Sequence, residues 1–263
     1  MSQSLERALT ILRLIGDDPK NITQLGQELD VHPTTALRLV RTLKQERFVE
    51  SVGDGTYRLG SALIDLGHRA LEENDLRTVG HAPLVELNRI TTETVHSAAL
   101  DGTVITYVDK VESRHPVRIE SYVGRAVLKH CTGVGKAILS FLPEEELEHH
   151  IAGIDFERFT PTTITDPDAL RRELQVTRER GYAVDDEEHE PGICCVAVPI
   201  YSASGRVTRS LSVSAPSSRM TLDELLKFLP EIKAAAGQIS EGLGYRGNAY
   251  DEHRGTVRPQ AGK

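Results

Sequence analysis

The sequence predicts an α/β chain, more narrowly α+β, built as a small N-terminal helical unit with a hairpin followed by a larger mixed unit. Three observations predict it. Between Ile22 and Leu59 a short helix, a tight turn, a basic amphipathic helix and a β-hairpin follow one another. From Asp75 the pattern changes to alternating helical and β-like runs. The charge divides at the same place: residues 1–60 hold eight Lys/Arg and eight Asp/Glu, so the whole formal charge of -8 belongs to residues 61–263.

The first helix is marked by Leu5, Ala8, Leu9, Leu12 and Ile15, with Ser4 as its expected N-cap and Glu6 in its positive first turn. A short second helix runs from Thr23 to Leu29, with Thr23 as expected cap, and Asp30 to His32 form the turn. After Pro33, which suits a first helical turn, Ala36, Leu39, Val40 and Leu43 recur at the spacing that places apolar side chains on one helix face. Thr35, Arg38, Thr42 and Gln45 then lie opposite, flanked by Arg41 and Lys44. From Pro33 to Arg47 four cations face Glu46 alone, a local charge of +3. Phe48–Val52 and Thr56–Leu59 join across Gly53, Asp54 and Gly55 as a hairpin.

This order is that of a winged helix-turn-helix. A basic helix face alone is more often a solvated surface, and the flanking elements are what change the reading. Thr23, Thr34, Thr35, Arg38, Arg41, Thr42, Lys44 and Arg58 are the candidate DNA contacts: hydroxyls, backbone N–H groups and guanidinium groups matched to phosphates and guanine edges. The acidic remainder repels DNA, so binding is expected at one end of the molecule and to depend on salt.

Gly60 and Ser61 introduce a linker helix over 61–75, with a stripe of Leu63, Leu66 and Ala70 that serves either packing within the unit or pairing with a second subunit. A helix follows from Leu76 to Ile90, bent at Pro83, then a hairpin of Thr94–Leu100 and Thr103–Val111 about Asp101-Gly102, and a strand candidate at Val117–Tyr122. A glycine-containing loop and helix are expected within VGRAVLKHCTGVGKAILSFL, and further helices at Glu144–His150, from Asp166 to Gly181 and over Leu222–Leu243. Ile193–Tyr201 and Val207–Ala215 form a third hairpin, and 246–263 read as a disordered tail.

No apolar run approaches the roughly 20 residues a bilayer requires, and an N-terminal helix with internal charges does not resemble a signal peptide. A cytoplasmic protein with no membrane partner is expected. Cys131, Cys194 and Cys195 are read as reduced thiols, the adjacent pair pointing to opposite faces of a strand, one into the core and one into a pocket. A thiol hydrolase would need His189 beside Cys195, and a metal site would need His130, Cys131, His149, His150, His189 and Cys195 to converge without ligand spacing. CTGVGK lacks the spacing of a phosphate loop. No catalytic residue, metal or cofactor is assigned.

SLERALTILRLI, TTALRLVRTL, YRLG, HCTGVGKAIL, and RGYAVDDEEHEPGICCVAVPI followed by SLSVSAP together resemble the IclR family of bacterial transcriptional regulators over roughly residues 3–245. Gly26 stands where relatives carry alanine. The resemblance implies a winged helix-turn-helix over 1–60, the linker helix, and a GAF-like effector-binding domain over 76–245. It implies a homodimer, or dimer of dimers, on a palindromic double-stranded operator, a small organic acid effector, and repression of a catabolic operon. Carried over residue by residue, the ligand positions are Gly124, Arg125, Ala126, Val127, Asp185, Cys195, Ser212 and Ser214. For Ser212 and Ser214 the alternation of a strand independently puts both on one face; their bland reading is satisfied strand hydroxyls. A ligand-binding enzyme, or a protein-interaction adaptor with an accessory winged helix, are the rival readings.

Overall fold

The computed structural model describes residues 3–72, 75–116, 119–247 and 250, which fall into two compact units, Met1–Glu73 and Asn74–Lys263. In the first, α1 (Gln3–Asp17) buries Ile11 and Ile15, while Leu5 and Leu9 stay 61% and 50% exposed. Its apolar residues form two stripes, and only one is covered. Ser4 lies inside the helix rather than capping it.

After β1 (Lys20–Asn21), α2 (Ile22–Glu28) is capped by Asn21, not Thr23. The Asn21 carboxamide accepts the Gln24 N–H at 3.0 Å, and the Gln24 side chain accepts the Asn21 N–H at 2.8 Å, so each residue satisfies a donor the helix end leaves open. In the turn Asp30 adopts a φ of 49° and the Val31 N–H donates to the Gly26 carbonyl at 2.9 Å. A β-carbon on Gly26 would come within 3.1 Å of the Val31 carbonyl oxygen. The glycine, unfavourable for helix propensity, therefore suits the close passage of this turn.

α3 (Pro33–Gln45) has Pro33 in its first turn and His32 as cap, its ring accepting the Thr34 N–H. Ala36 and Val40 enter a core with Ile11, Ile15, Leu25 and Val49, and Leu39 and Leu43 pack at its margin. β2 (Val49–Ser51) and β3 (Thr56–Leu59) form the wing, with the strands ordered β1-β3-β2 and antiparallel. α4 (Ala62–Glu72) completes the unit, leaving Ile64 and Leu66 exposed.

The second unit opens with α5 (Asp75–Thr91), which carries Pro83 inside it, and the hairpin β4 (Thr94–Asp101) and β5 (Val104–Val111). There follow α6 (Gly133–Leu139), α7 (Glu144–Ala152), α8 (Pro167–Arg180), β6 (Ala183–Asp186), β7 (Ile193–Tyr201) and β8 (Val207–Pro216). Two helices end it, α9 (Leu222–Leu226) and α10 (Leu229–Gly242). α8 begins and ends as its residues require, with Asp166 accepting two backbone N–H bonds and Gly181 left-handed at φ 76°.

The five strands are ordered β5-β4-β8-β7-β6, all neighbours antiparallel. One face packs Val95, Cys194, Val196, Val198, Leu211 and Val213 against Leu87, Ile232 and Ile239 of α5 and α10. On the other, Ala98, Ile105, Ala183 and Ala197 receive Val134 and Ile138 of α6. Helices thus cover both faces of an antiparallel sheet.

Two expected elements need correction. Residues 119–122 are not a strand, and 117–118 lie outside the described residues. The outer edge of β5 is taken instead by 124–127: the Tyr107 N–H donates to the Arg125 carbonyl at 3.1 Å, and the Val127 N–H to that of Ile105 at 2.8 Å. The helix expected over Leu222–Leu243 is two, because Pro230, which lacks an N–H, sits in the first turn of α10 rather than within one continuous helix. β6 was not foreseen. Of the expected tail, Arg246 donates to the Glu241 carbonyl at 3.0 Å and the Tyr250 hydroxyl to that of Pro199; 248–249 and 251–263 lie outside the described residues.

Candidate functional site

Two surfaces collect the residues singled out in the sequence. On the first unit Thr34, Arg38, Arg41, Thr42 and Lys44 are all exposed along α3, Thr35 is half-buried, and Thr23 is exposed on α2. The burial of Ala36 and Val40 is what turns them outward. Thr42 donates to the Arg38 carbonyl at 3.2 Å. On the wing Arg58 is 59% exposed and its Nε lies 2.6 Å from Glu50 on the paired strand, at the registered position. Arg58 is therefore already partnered, whereas Arg38 has no ion pair among the described residues.

The second surface is a cavity of about 330 Å³ in the larger unit. Seven of the eight expected positions line it: Arg125, Ala126, Val127, Asp185, Cys195, Ser212 and Ser214. Gly124 does not. It supplies a left-handed turn, φ 93°, and donates its N–H to the Tyr107 carbonyl at 2.7 Å, which fixes the segment that follows against β5.

Strand register explains the convergence. Thr94 pairs with Ser214, Ser214 with Cys195 and Cys195 with Asp185, so one polar row crosses β4, β8, β7 and β6 on a single face. In the neighbouring row His96 pairs with Ser212, Ser212 with Ala197 and Ala197 with Ala183. The two alanines lie beneath α6, and a β-carbon on Gly133 would stand 2.9 Å from Cys195 Sγ and 3.2 Å from Ala197 Cβ. Glycine there lets the start of α6 close down on the sheet.

Cys194 faces the opposite core, its Sγ 3.2 Å from the Met220 carbonyl, and Cys195 faces the cavity, as adjacent strand positions must. Burial pushes the Cys195 thiol up to about 12, against the hydroxyls of Ser214 and Ser212. The thiol is neutral at physiological pH, and burial also lowers His189 below the usual imidazole range. A thiolate nucleophile is not formed here. Among the described residues no three His, Cys, Asp or Glu are grouped to hold a metal. His150, expected in a solvated helix, is 5% exposed, because α7 turns it inward beside Leu147 and Ile151.

Burial raises Asp185 to about 7, against the opposing pull of the Lys136 ammonium and the Glu188 N–H, which donates to Asp185 Oδ1 at 2.8 Å. Lys136 itself has no exposed surface and pairs with Glu188. The lysine of CTGVGK is thus a buried structural cation.

The comparisons with known proteins agree with this geometry. Residues 4–53 match the model of the IclR helix-turn-helix domain and residues 68–241 that of the bacterial transcriptional regulator IclR C-terminal domain. The chain belongs to the IclR family of bacterial transcriptional regulators. It is 36% identical over 246 residues to the HTH-type transcriptional regulator XynR of Escherichia coli K12, covering 92% of this chain and 98% of that one. To the HTH-type transcriptional repressor AllR of Klebsiella pneumoniae it is 32% identical over 251 residues, covering 94% and 92%. The crystal structure of the Thermotoga maritima IclR matches with a TM-score of 0.75 at 34% identity, covering 92% of this chain and 98% of that one. These IclR relatives are regulators rather than enzymes, and this chain is a regulator with a DNA-binding helix-turn-helix. Among the described residues no helix is long and apolar enough to cross a membrane.

Sequence reasoning missed much of the cavity wall. His96, Tyr107, Ser121, Thr132, Phe159 and His189 also line it. His96 carried a signal in hindsight, a histidine at an inward position of an apolar strand, but which strand it would meet depends on pairing with β8, over a hundred residues away.

Proposed function

We propose that the protein is an effector-responsive repressor of a catabolic operon, cytoplasmic, binding a palindromic operator as a dimer or dimer of dimers and releasing it in response to a small organic acid. The observation that carries the reading is α3: its apolar face is buried and its threonine and arginine face is exposed. Thr23, Thr34, Thr35, Arg38, Arg41, Thr42, Lys44 and Arg58 are the proposed DNA contacts. In a symmetric pair two such helices enter successive major grooves roughly 34 Å apart. Leu5, Leu9, Ile64 and Leu66, large apolar side chains left exposed on the same unit, support self-association.

The effector is proposed to occupy the cavity lined by Arg125, Ala126, Val127, Asp185, Cys195, Ser212 and Ser214, with Gly124 shaping its loop. Its volume lies at the small end of ligand pockets. Arg125, whose guanidinium donates to the Glu120 carbonyl at 2.6 Å, favours an anion at that wall. Ligand binding is proposed to shift operator affinity by a coupling of about 1–3 kcal/mol.

Fluorescence anisotropy on the DNA upstream of the protein's own gene, between 50 and 200 mM salt, tests the regulator reading. Binding that falls steeply with salt and exceeds binding to random DNA supports it. Failure to bind either duplex overturns it.

A further inference from the structure

We infer that His32, the residue that caps α3, is a further DNA contact, donating its ring Nε2–H to a backbone phosphate at the point where α3 begins. The inference rests on α3 being the helix that enters DNA.

The backbone at the start of α3 has little to offer a phosphate. A helix N-terminus ordinarily presents open N–H groups to an anion. Here Pro33 has none, the Thr34 N–H goes to the His32 ring at 3.4 Å, and the Thr35 and Ala36 N–H groups both go to the His32 carbonyl, at 2.8 and 3.4 Å. The field of a thirteen-residue helix still favours negative charge at this end, but the backbone donors of its first turn are already engaged. A donor has to come from a side chain.

The His32 ring supplies one, and the cap fixes which nitrogen carries it. A nitrogen that accepts the Thr34 N–H bears no hydrogen, so the capping bond puts the hydrogen of a neutral ring on Nε2. The Thr34 hydroxyl lies 2.9 Å from the same Nδ1 and holds the ring from a second direction. His32 is exposed, and its Nε2 has no hydrogen-bond partner among the described residues. Histidine is also a weak choice for capping alone: Ser, Thr, Asp and Asn are the preferred caps, and a bond of 3.4 Å is long. What the ring has beyond them is a second nitrogen on its outer edge, clear of the capping bond. Its position agrees with the proposed interface, because His32 lines an open groove with Thr23 and Gln27 of α2, and Thr23 is itself a proposed contact. Asp30 lines the same groove and opposes an anion, so a phosphate there is held by directed donors rather than by net positive charge.

Two substitutions separate the two ring nitrogens, because an Asn side chain ends where Nδ1 stands and a Gln side chain reaches as far as Nε2. Fluorescence anisotropy is measured on the duplex upstream of the protein's own gene and on a random duplex of equal length, at about 50 mM salt, where non-specific binding is also strong. Thermal unfolding midpoints are taken on the same preparations. His32→Asn is expected to keep or raise the midpoint, Asn being a preferred cap, and to weaken binding about tenfold on both duplexes alike. His32→Gln is expected to lower the midpoint and to hold DNA within about twofold of wild type. Wild-type binding by His32→Asn, a loss confined to the upstream duplex, or a His32→Gln as weak on DNA as His32→Asn overturns the inference. A wild-type protein that binds neither duplex overturns the regulator reading and the inference with it, whereas in the other three cases wild-type binding stands, so the two failures are distinguishable.

Discussion

The Lys136 side chain, with no surface exposed, places its ammonium against the carboxylate of Glu188, fifty-two residues later in the chain. The pair joins α6 to the turn after β6, and Glu188 is tied further: its carbonyl accepts the hydroxyl of Thr163 at 2.6 Å and that of Thr160 at 3.3 Å. Asp185, on the cavity wall, accepts the Glu188 N–H. One buried cation thus underlies the strand end that carries a proposed ligand group.

Removing one partner of such a pair strands a charge in a site that cannot solvate it. Lys136→Met is expected to lower stability by about 3–5 kcal/mol in urea denaturation. The double variant Lys136→Met with Glu188→Leu is expected to recover most of that loss, since replacing a whole buried pair with apolar groups is often neutral. A double variant as unstable as the single one would mean that the pair contributes more than mutual neutralisation.

Asp185 makes stability depend on pH. Its folded value of about 7 lies above the ordinary carboxylate value because burial disfavours the anion. The folded state therefore holds the proton more tightly than the unfolded chain. Its stabilisation is complete below the unfolded value, near 4, and is lost as the pH rises through 7. The groups acting on it are Lys136 and the N–H groups of Glu188 and His189, which favour the anion, and the Glu188 carboxylate, which opposes it. Asp185→Asn, permanently neutral, is expected to gain stability relative to wild type between pH 4 and 7 and to hold a constant advantage above about 8, a few kcal/mol at most. Parallel stability curves for the two proteins over that range would show that Asp185 is ionised at ordinary values.

How far the sequence foretold these features depends on how local their causes are. α3 and α8 were legible because Ala36 and Val40 repeat with the helix, and because Asp166 and Gly181 punctuate a helix by their own chemistry. The helical cap at Asn21 was not, because Thr23 is an equally good capping residue and only the reciprocal bond from Gln24 decides between them. β6 escaped notice because Asp185 and Asp186 are poor strand formers that are held by pairing with Cys195 and Cys194. Conversely 119–122 alternates like a strand and has no edge to join. Of the positions carried from the family, all but Gly124 line one cavity; His96 and Tyr107 depend on register and could not be read locally.

The assignment of the cap carries its own test. Asn21→Ala is expected to cost about 1 kcal/mol, since it leaves the Gln24 backbone N–H of α2 without its side-chain acceptor. Thr23→Ala, at an exposed site, is expected to stay within about 0.5 kcal/mol of wild type. Denaturation midpoints of the two variants decide the matter, and a larger loss for Thr23→Ala would restore it as the cap.

Two of the three arginines proposed to meet DNA, Arg38 and Arg58, start from different states, and that difference predicts opposite responses. Arg38 is exposed with no ion pair among the described residues, so it is available to a base edge without breaking anything. Arg58 must first give up Glu50, 2.6 Å away. Arg38→Ala is therefore expected to weaken operator binding by about 1–3 kcal/mol while changing binding to random DNA much less. Glu50→Gln is expected to tighten binding to every sequence by a few fold and to steepen the salt dependence, because the freed Arg58 adds a phosphate contact and removes an opposing charge. Anisotropy titrations on operator and random duplexes at two salt concentrations measure both. If Arg38→Ala costs the same on each duplex, Arg38 grips the backbone, and if Glu50→Gln changes nothing, the wing does not reach the DNA.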